Sequence, residues 1–272
     1  MVDLTMLQRI SREVRGDVLD MSFRARTPHI GSSLSCVEIL VAAYCTDPGL
    51  APGEWESPDR DRFILSKGHA AAALYATLAR CGYFPLEWLN RFAENGGPLA
   101  EHPIRGLLPG IEVTSGSLGH GLALGIGMAL AGRIQRREYR AIVLLSDGEC
   151  NEGTVWEAAL FAPAHKLREI MVIVDYNKWQ ATGRSNEVLA LSPLAAKWAA
   201  FGWAVSEIDG HDLNALVEKL AEPLDGAGRP RALIAHTVKG KGVSFMEDDN
   251  NWHYRIPSAD ELQRAKQELG LA

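Results

Sequence analysis

The stretch Ala141–Ala159, AIVLLSDGECNEGTVWEAA, decides how the chain folds. An apolar, strand-like run stops at Ser146. Asp147 and Gly148 make a turn, and a helical pattern follows. The same order repeats downstream. Strand Ile170–Asp175 (IMVIVD) leads into a long polar loop and helix Pro193–Gly202 (PLAAKWAAFG). Strand Trp203–Ile208 (WAVSEI), helix Leu213–Leu224 and strand Arg231–Thr237 (RALIAHT) complete the run. The strands are short, apolar on both faces and separated by helices. That predicts a mostly parallel sheet covered on both sides. Right-handed crossovers turn it into a doubly wound α/β fold.

Upstream, Leu7, Ile10, Val14, Val18 and Met21 recur three and four apart, the spacing of an amphipathic helix. Cys36–Cys45 and His69–Gly82 read as two more helices, with Gly82 as a stop signal, and Arg62–Leu65 as a strand between them. Leu86–Gly97 reads as a short helix. Leu118–Arg137 reads as a long one with small residues along one side, where a backbone or ligand can come close. No repeat, low-complexity tract or linker interrupts the chain, so residues 1–272 are expected to form a single domain.

Composition excludes several classes. A net charge of −6 argues against a nucleic-acid surface. The most basic stretch, Arg133–Arg140, closes a helical pattern, where cations favour the helix dipole. The longest uncharged run is too rich in glycine for a membrane span. The charged N-terminal segment does not read as a signal peptide. The four cysteines form no CxxC pair, and a chain of 272 residues buries enough core to need no disulfide. A reducing cytoplasm is the expected setting.

In an open parallel sheet, ligands bind beyond the carboxyl ends of the strands. Those ends carry Ser66-Lys67-Gly68-His69, Ser146-Asp147-Gly148, Asp175-Tyr176-Asn177 and His236-Thr237. Taken singly, Asp147 and Asn177 are ordinary turn residues. Taken together, one strand–helix unit apart, they offer two oxygens to a hard cation such as Mg²⁺ or Ca²⁺. Magnesium completes its shell with phosphate and water, so the pair points to a Mg²⁺–diphosphate site. Gly148 would let the diphosphate approach the backbone at a helix start. The segments GHGLALGIG and VKGKGVSF fit neither the dinucleotide fingerprint nor the P-loop.

SDGECNEG followed by VDYN resembles the thiamine diphosphate fingerprint. TPHIGSSLS (Thr27–Ser35), ILSKGHA (Ile64–Ala70), AEHP with GIEVTSGSLGHG, and AHTVKGKGVSFME narrow the resemblance to transketolase. They cover Thr27 to about Trp252 and match that family's N-terminal, diphosphate-binding domain. The resemblance implies the N-terminal subunit of a split enzyme. That enzyme would transfer a two-carbon ketol unit from a ketose, or ketose phosphate, to an aldose.

The resemblance also assigns roles. Asp147, Asn177 and the Trp179 carbonyl would ligate Mg²⁺. Gly148, His69 and His236 would contact the diphosphate of thiamine diphosphate, and Gly116 and Leu118 its rings. His29, His102 and His236 would surround the reacting sugar carbons. Glu152 would sit near the cofactor, where two subunits meet. The carboxylate that acts on the aminopyrimidine belongs to a pyrimidine-binding domain, so the chain is expected to need a partner subunit in an α2β2 assembly. Two other readings share the metal motif. One is a subunit of a 2-oxo-acid-decarboxylating or deoxyxylulose phosphate synthase-like enzyme; the other is a non-catalytic cofactor-binding subunit. Ser146, Tyr176 and His120 depart from the family pattern of Gly, Asn and Gln.

Overall fold

The computed structural model describes residues 2–271. Five strands form one sheet: β1 (Arg62–Leu65), β2 (Ala141–Ser146), β3 (Ile170–Tyr176), β4 (Ala204–Asp209) and β5 (Arg231–His236). Their spatial order is β1-β2-β3-β5-β4, and every pairing is parallel. The helices are α1 (Leu4–Ala25), α2 (Ile30–Ser35), α3 (Val37–Thr46), α4 (Ala71–Arg80) and α5 (Gly121–Gln135). They continue with α6 (Gly153–Ala164), α7 (Ser185–Val188), α8 (Leu194–Ala200), α9 (Leu213–Ala221) and α10 (Ala259–Glu268).

The two-residue period of a strand splits the core in two. Ile142, Leu144, Met171, Ile173, Leu233 and Ala235 pack on one face with α1, α3, α4 and α9. Val143, Leu145, Ile170, Val172, Val174 and Ile234 pack on the other with α5, α6 and α8. Every residue of β2 and β3 is buried, as a doubly covered sheet requires. Each such Val, Leu or Ile contributes roughly 1.5–3 kcal/mol of burial. Gly125 lets α5 lie against β2, because a Cβ there would stand 2.7 Å from Val143 Cγ2. Among the described residues no helix is long and apolar enough to cross a membrane.

Four details differ from the expectations. β4 pairs on one side only and is half-exposed, so Ser206 and Glu207 are tolerated there and it is not apolar on both faces. Leu86–Arg91 is 3₁₀-helical rather than α-helical. Three helices were not anticipated: α2, the single turn of α7, and α10, which carries few apolar residues and opens with a capping box between Ser258 and Glu261. Cys45 and Cys81 are bonded, with their Cα atoms 6.0 Å apart, tying the end of α3 to the end of α4.

A buried ionic bridge joins both ends of the chain to the first helical layer. Arg15 on α1 lies 2.6 Å from Glu38 on α3, and donates from Nε to the Lys241 carbonyl. Val238 N–H donates to His211 Nε2, so Nδ1 holds the ring hydrogen and donates to Glu38 at 2.9 Å. Burial raises the Glu38 pKa, but Arg15 and His211 together outweigh it and hold the carboxyl at about 2, against 4.5 when free. A depressed carboxylate stabilises the fold above its unfolded pKa, and that stabilisation disappears as pH falls through its folded one. Glu38→Gln should therefore cost on the order of 3 kcal/mol at pH 7. Urea unfolding should show this deficit shrinking between pH 4.5 and about 2. A deficit that stays constant down to pH 2 would contradict this account.

Candidate functional site

The carboxyl ends of β1, β2 and β3 open into a cleft of about 330 Å³. Of the residues singled out in the sequence, His29, His69, His102, Gly116, Leu118, Gly148, Glu152, Asn177 and Trp179 line it. Asp147 is fully buried between Ser146 and Gly148, which line the cleft, and is not itself part of the lining. His236 is elsewhere. Its Nε2 meets the Glu207 carboxylate of edge strand β4 at 2.8 Å, and its ring packs near Tyr176. Register pairs His236 with Tyr176 of β3 on one side and Asp209 of edge strand β4 on the other, and its ring turns toward β4. The structure thus does not bring His236 into the cleft. It brings in His253 instead, from the turn that follows Trp252.

Four imidazoles gather at one end. The His29 ring is 5.4 Å from His69, 6.3 Å from His102 and 5.1 Å from His253. His29 takes a left-handed φ of 72°, rare for a residue with a Cβ, and its N–H donates to the His253 carbonyl at 2.8 Å. That bond fixes two ring-bearing loops against each other. Burial first, then nearby His102, Lys239 and Lys67, lowers the His29 pKa to about 4. Burial and Lys239 bring His253 to about 3, and burial takes His69 well below its ordinary value. At neutral pH these three rings are uncharged and can offer one donor and one acceptor each.

Beneath the rings lies a dry ionic pair. Lys67 and Asp175 are both fully buried and in direct contact. Lys67 also donates to the Ser32 carbonyl at 2.9 Å, and Asp175 accepts from Ser35 Oγ and Thr237 Oγ1. At the other end of the cleft, Asp147 accepts from Gly148 N–H at 3.0 Å and Ser185 Oγ at 2.7 Å. Among the described residues it has no ion-pair partner within 4.0 Å, and burial raises its pKa to about 7. Asn177 Oδ1 accepts from Trp179 N–H at 3.1 Å, and Nδ2 donates to Ser35.

These groups fit a metal-bound diphosphate in three respects. A buried carboxylate without a cation is a donor awaiting one. A Cβ on Gly148 would meet Gln180 Cβ at 2.8 Å and come within 3.9 Å of the Trp179 carbonyl, so glycine keeps that passage open. Gln180 Nε2 is buried at the cleft with no partner. Gly116, at φ 148°, runs close under the His102 ring, which a Cβ there would approach to 3.1 Å. Among the described residues no three His, Cys, Asp or Glu side chains form a metal cluster, so any cation would draw on Asn177, a carbonyl and the ligand itself.

Ser146 finds its explanation here. Its Oγ accepts from Glu149 N–H at 3.2 Å, and its N–H donates to Glu149 Oε2 at 3.3 Å. This is a reciprocal capping box around the turn that carries Asp147. Glu149, fully buried, also accepts from Ser66 Oγ and from Gly119 N–H at 2.8 Å. One carboxylate thereby binds the β1 end, the β2 end and the loop bearing Gly116 and Leu118. The S-x-x-E spacing in SDGE was the available signal for it. His253 carried none beyond being a histidine in a polar loop.

Fold and site define a doubly wound α/β protein with a polar cleft at its strand ends. Comparison with known proteins gives the family. The family described as "Transketolase, thiamine diphosphate binding domain" matches residues 7–272. An apulose-4-phosphate transketolase subunit from Phocaeicola vulgatus is 37% identical over 97% of this chain and 93% of its own. The 6-deoxy-6-sulfo-D-fructose transketolase subunit SqwG of a Clostridium species is 39% identical over 89% of this chain and 88% of its own. A transketolase from Campylobacter jejuni superposes with a TM-score of 0.89 at 28% identity, covering 99% of this chain and 43% of that one. The chain belongs to the transketolase family of transferases and carries its thiamine diphosphate-binding domain. It spans less than half the length of that solved transketolase.

Ser146→Ala should lower stability by about 1 kcal/mol, the usual cost of a lost helix cap. Glu149→Ala should cost more, about 1–3 kcal/mol for each donor left unsatisfied. Chemical denaturation of both variants checks the order. A Glu149→Ala variant as stable as the parent would remove the clamp from the account.

Proposed function

We propose that this chain is the diphosphate-binding subunit of a two-chain transketolase. It would move a two-carbon ketol unit from a ketose or ketose phosphate to an aldose, only with a pyrimidine-binding partner, in an α2β2 assembly. The observation that carries this is length. The relative from Phocaeicola vulgatus, named as one subunit of a transketolase, aligns over nearly its whole length with this chain. The solved transketolase from Campylobacter jejuni is more than twice as long. Exposed Leu124 and Ile134 on α5, and Leu160 and Phe161 on α6, supply apolar surface for a partner.

Thiamine diphosphate, when bound, supplies the electron sink that this chemistry needs. The chain's residues would hold it and manage protons around it. Asp147, Asn177 and the Trp179 carbonyl would ligate Mg²⁺ or Ca²⁺. Gly148 and His69 would take the diphosphate, and Gly116 and Leu118 would face the rings. His29, His102 and His253 would surround the sugar. His253 takes the place that His236 was expected to fill. Neutral rings at His29 and His253 suit that position: each can donate a hydrogen bond to a sugar oxygen and accept from a hydroxyl. The cytoplasm is the proposed compartment. The Cys45–Cys81 bond is unusual for that compartment, and neither sulfur lines the cleft.

Thiamine diphosphate at ~100 times its Kd should stabilise the purified chain by about 2.7 kcal/mol, and only when Mg²⁺ is present. Asp147→Ala should abolish this shift while leaving the far-ultraviolet circular dichroism unchanged. Ketol transfer should appear only after the partner is added. Activity of the chain alone would overturn the two-chain reading, and metal-independent stabilisation would overturn the role of Asp147.

A further inference from the structure

Lys239, in the VKGKG turn after β5, is 1% exposed, and among the described residues no carboxylate lies within 4.0 Å of its ammonium. A buried lysine in that state is costly unless its donors are used. Two are. Nζ donates to Asn250 Oδ1 at 2.7 Å and lies 3.0 Å from His253 Nδ1. Asn250 cannot turn its amide round without loss, because Nδ2 donates to the carbonyl of Ala181, a residue of the cleft wall. Glycine at position 31 leaves room for the lysine stem, since a Cβ there would stand 3.2 Å from Lys239 Cγ. Lys239 does not line the cleft itself, whereas His253 does.

We propose that Lys239 is a positioning residue that locks His253 as the Nε2–H tautomer and so presents a fixed hydrogen-bond donor to the reacting sugar. An ammonium has three donors and no acceptor, so the nitrogen facing it must be the bare one. The hydrogen therefore sits on Nε2, which has no protein partner among the described residues. The ring backbone is held as well, by the bond from His29 N–H to the His253 carbonyl. The same buried cation opposes a second proton on the ring, which keeps the donor neutral.

This inference rests on the transketolase reading of the cleft, but the tautomer can be read without partner, cofactor or activity. The full chain labelled with ¹⁵N-histidine should show, in long-range ring spectra, a protonated Nε2 and a bare Nδ1 at His253. Lys239→Met should give averaged nitrogen shifts for that ring, and Lys239→Arg should restore the single tautomer. With the partner added, Lys239→Met should lower kcat about tenfold, as for a misplaced acid–base group, with donor KM little changed. A wild-type ring protonated on Nδ1, or an unaltered Nε2–H tautomer in Lys239→Met, would overturn the proposal. If the tautomers behave as stated but no ketol transfer occurs, the functional reading fails and the positioning role stands.

Discussion

The contact between Lys67 and Asp175 underlies everything built above it. Both side chains are fully buried. Breaking such a pair by removing one partner typically costs 3–5 kcal/mol, because the other charge is left uncompensated. Asp175 is the penultimate residue of β3, Lys67 follows β1, Ser35 ends α2 and Thr237 follows β5. One carboxylate and one ammonium therefore set the relative positions of four segments that converge on the cleft. The rings of His29 and His69 and the amide of Asn177 all sit on segments fixed in this way. Position 175 is a site where sheet register and ligand geometry are the same constraint.

Electrostatics divides the cleft into two ends. At one, neutral imidazoles press together, and burial with neighbouring cations keeps their charge off. At the other, burial pushes Asp147 up to about 7, against the support that Ser185, the Gly148 amide and the more distant Lys67 give its charge. Sites for chemistry often hold groups whose pKa values are displaced in this way. The wall between the ends is Gln180 and Trp179, whose loop is tied down by Arg184. Arg184 stacks on the Trp179 ring at 3.8 Å and grips Asp248 with both nitrogens.

The sheet was legible because parallel strands buried on both faces leave an unmistakable apolar signature, and β2 and β3 follow it fully. α10 was not, since its face carries few apolar residues and its start depends on a Ser–Glu box. The strand-end rule found Asp147 and Asn177, because a carboxyl end is a place dictated by chain direction. It misplaced His236, because Glu207 of the neighbouring, half-exposed strand β4 takes the ring there. His253 and Lys239 became visible only when a long loop folded back across the sheet. No local pattern encodes that return. Glu149 lay in plain view as half of a capping box, but its bonds to Ser66 and Gly119 are tertiary.

The balance of fixed charge in the cleft bears on the order of assembly. Lys67 cancels Asp175, Lys239 stands against Asp147, and His29, His69 and His253 add nothing at neutral pH. A diphosphate arriving by itself would find little net attraction, and a carboxylate in its path. A divalent cation seated on Asp147 reverses that sign locally. Cation and diphosphate would then enter together or cation first, which makes loading of the cleft a question of metal availability rather than of cofactor concentration alone.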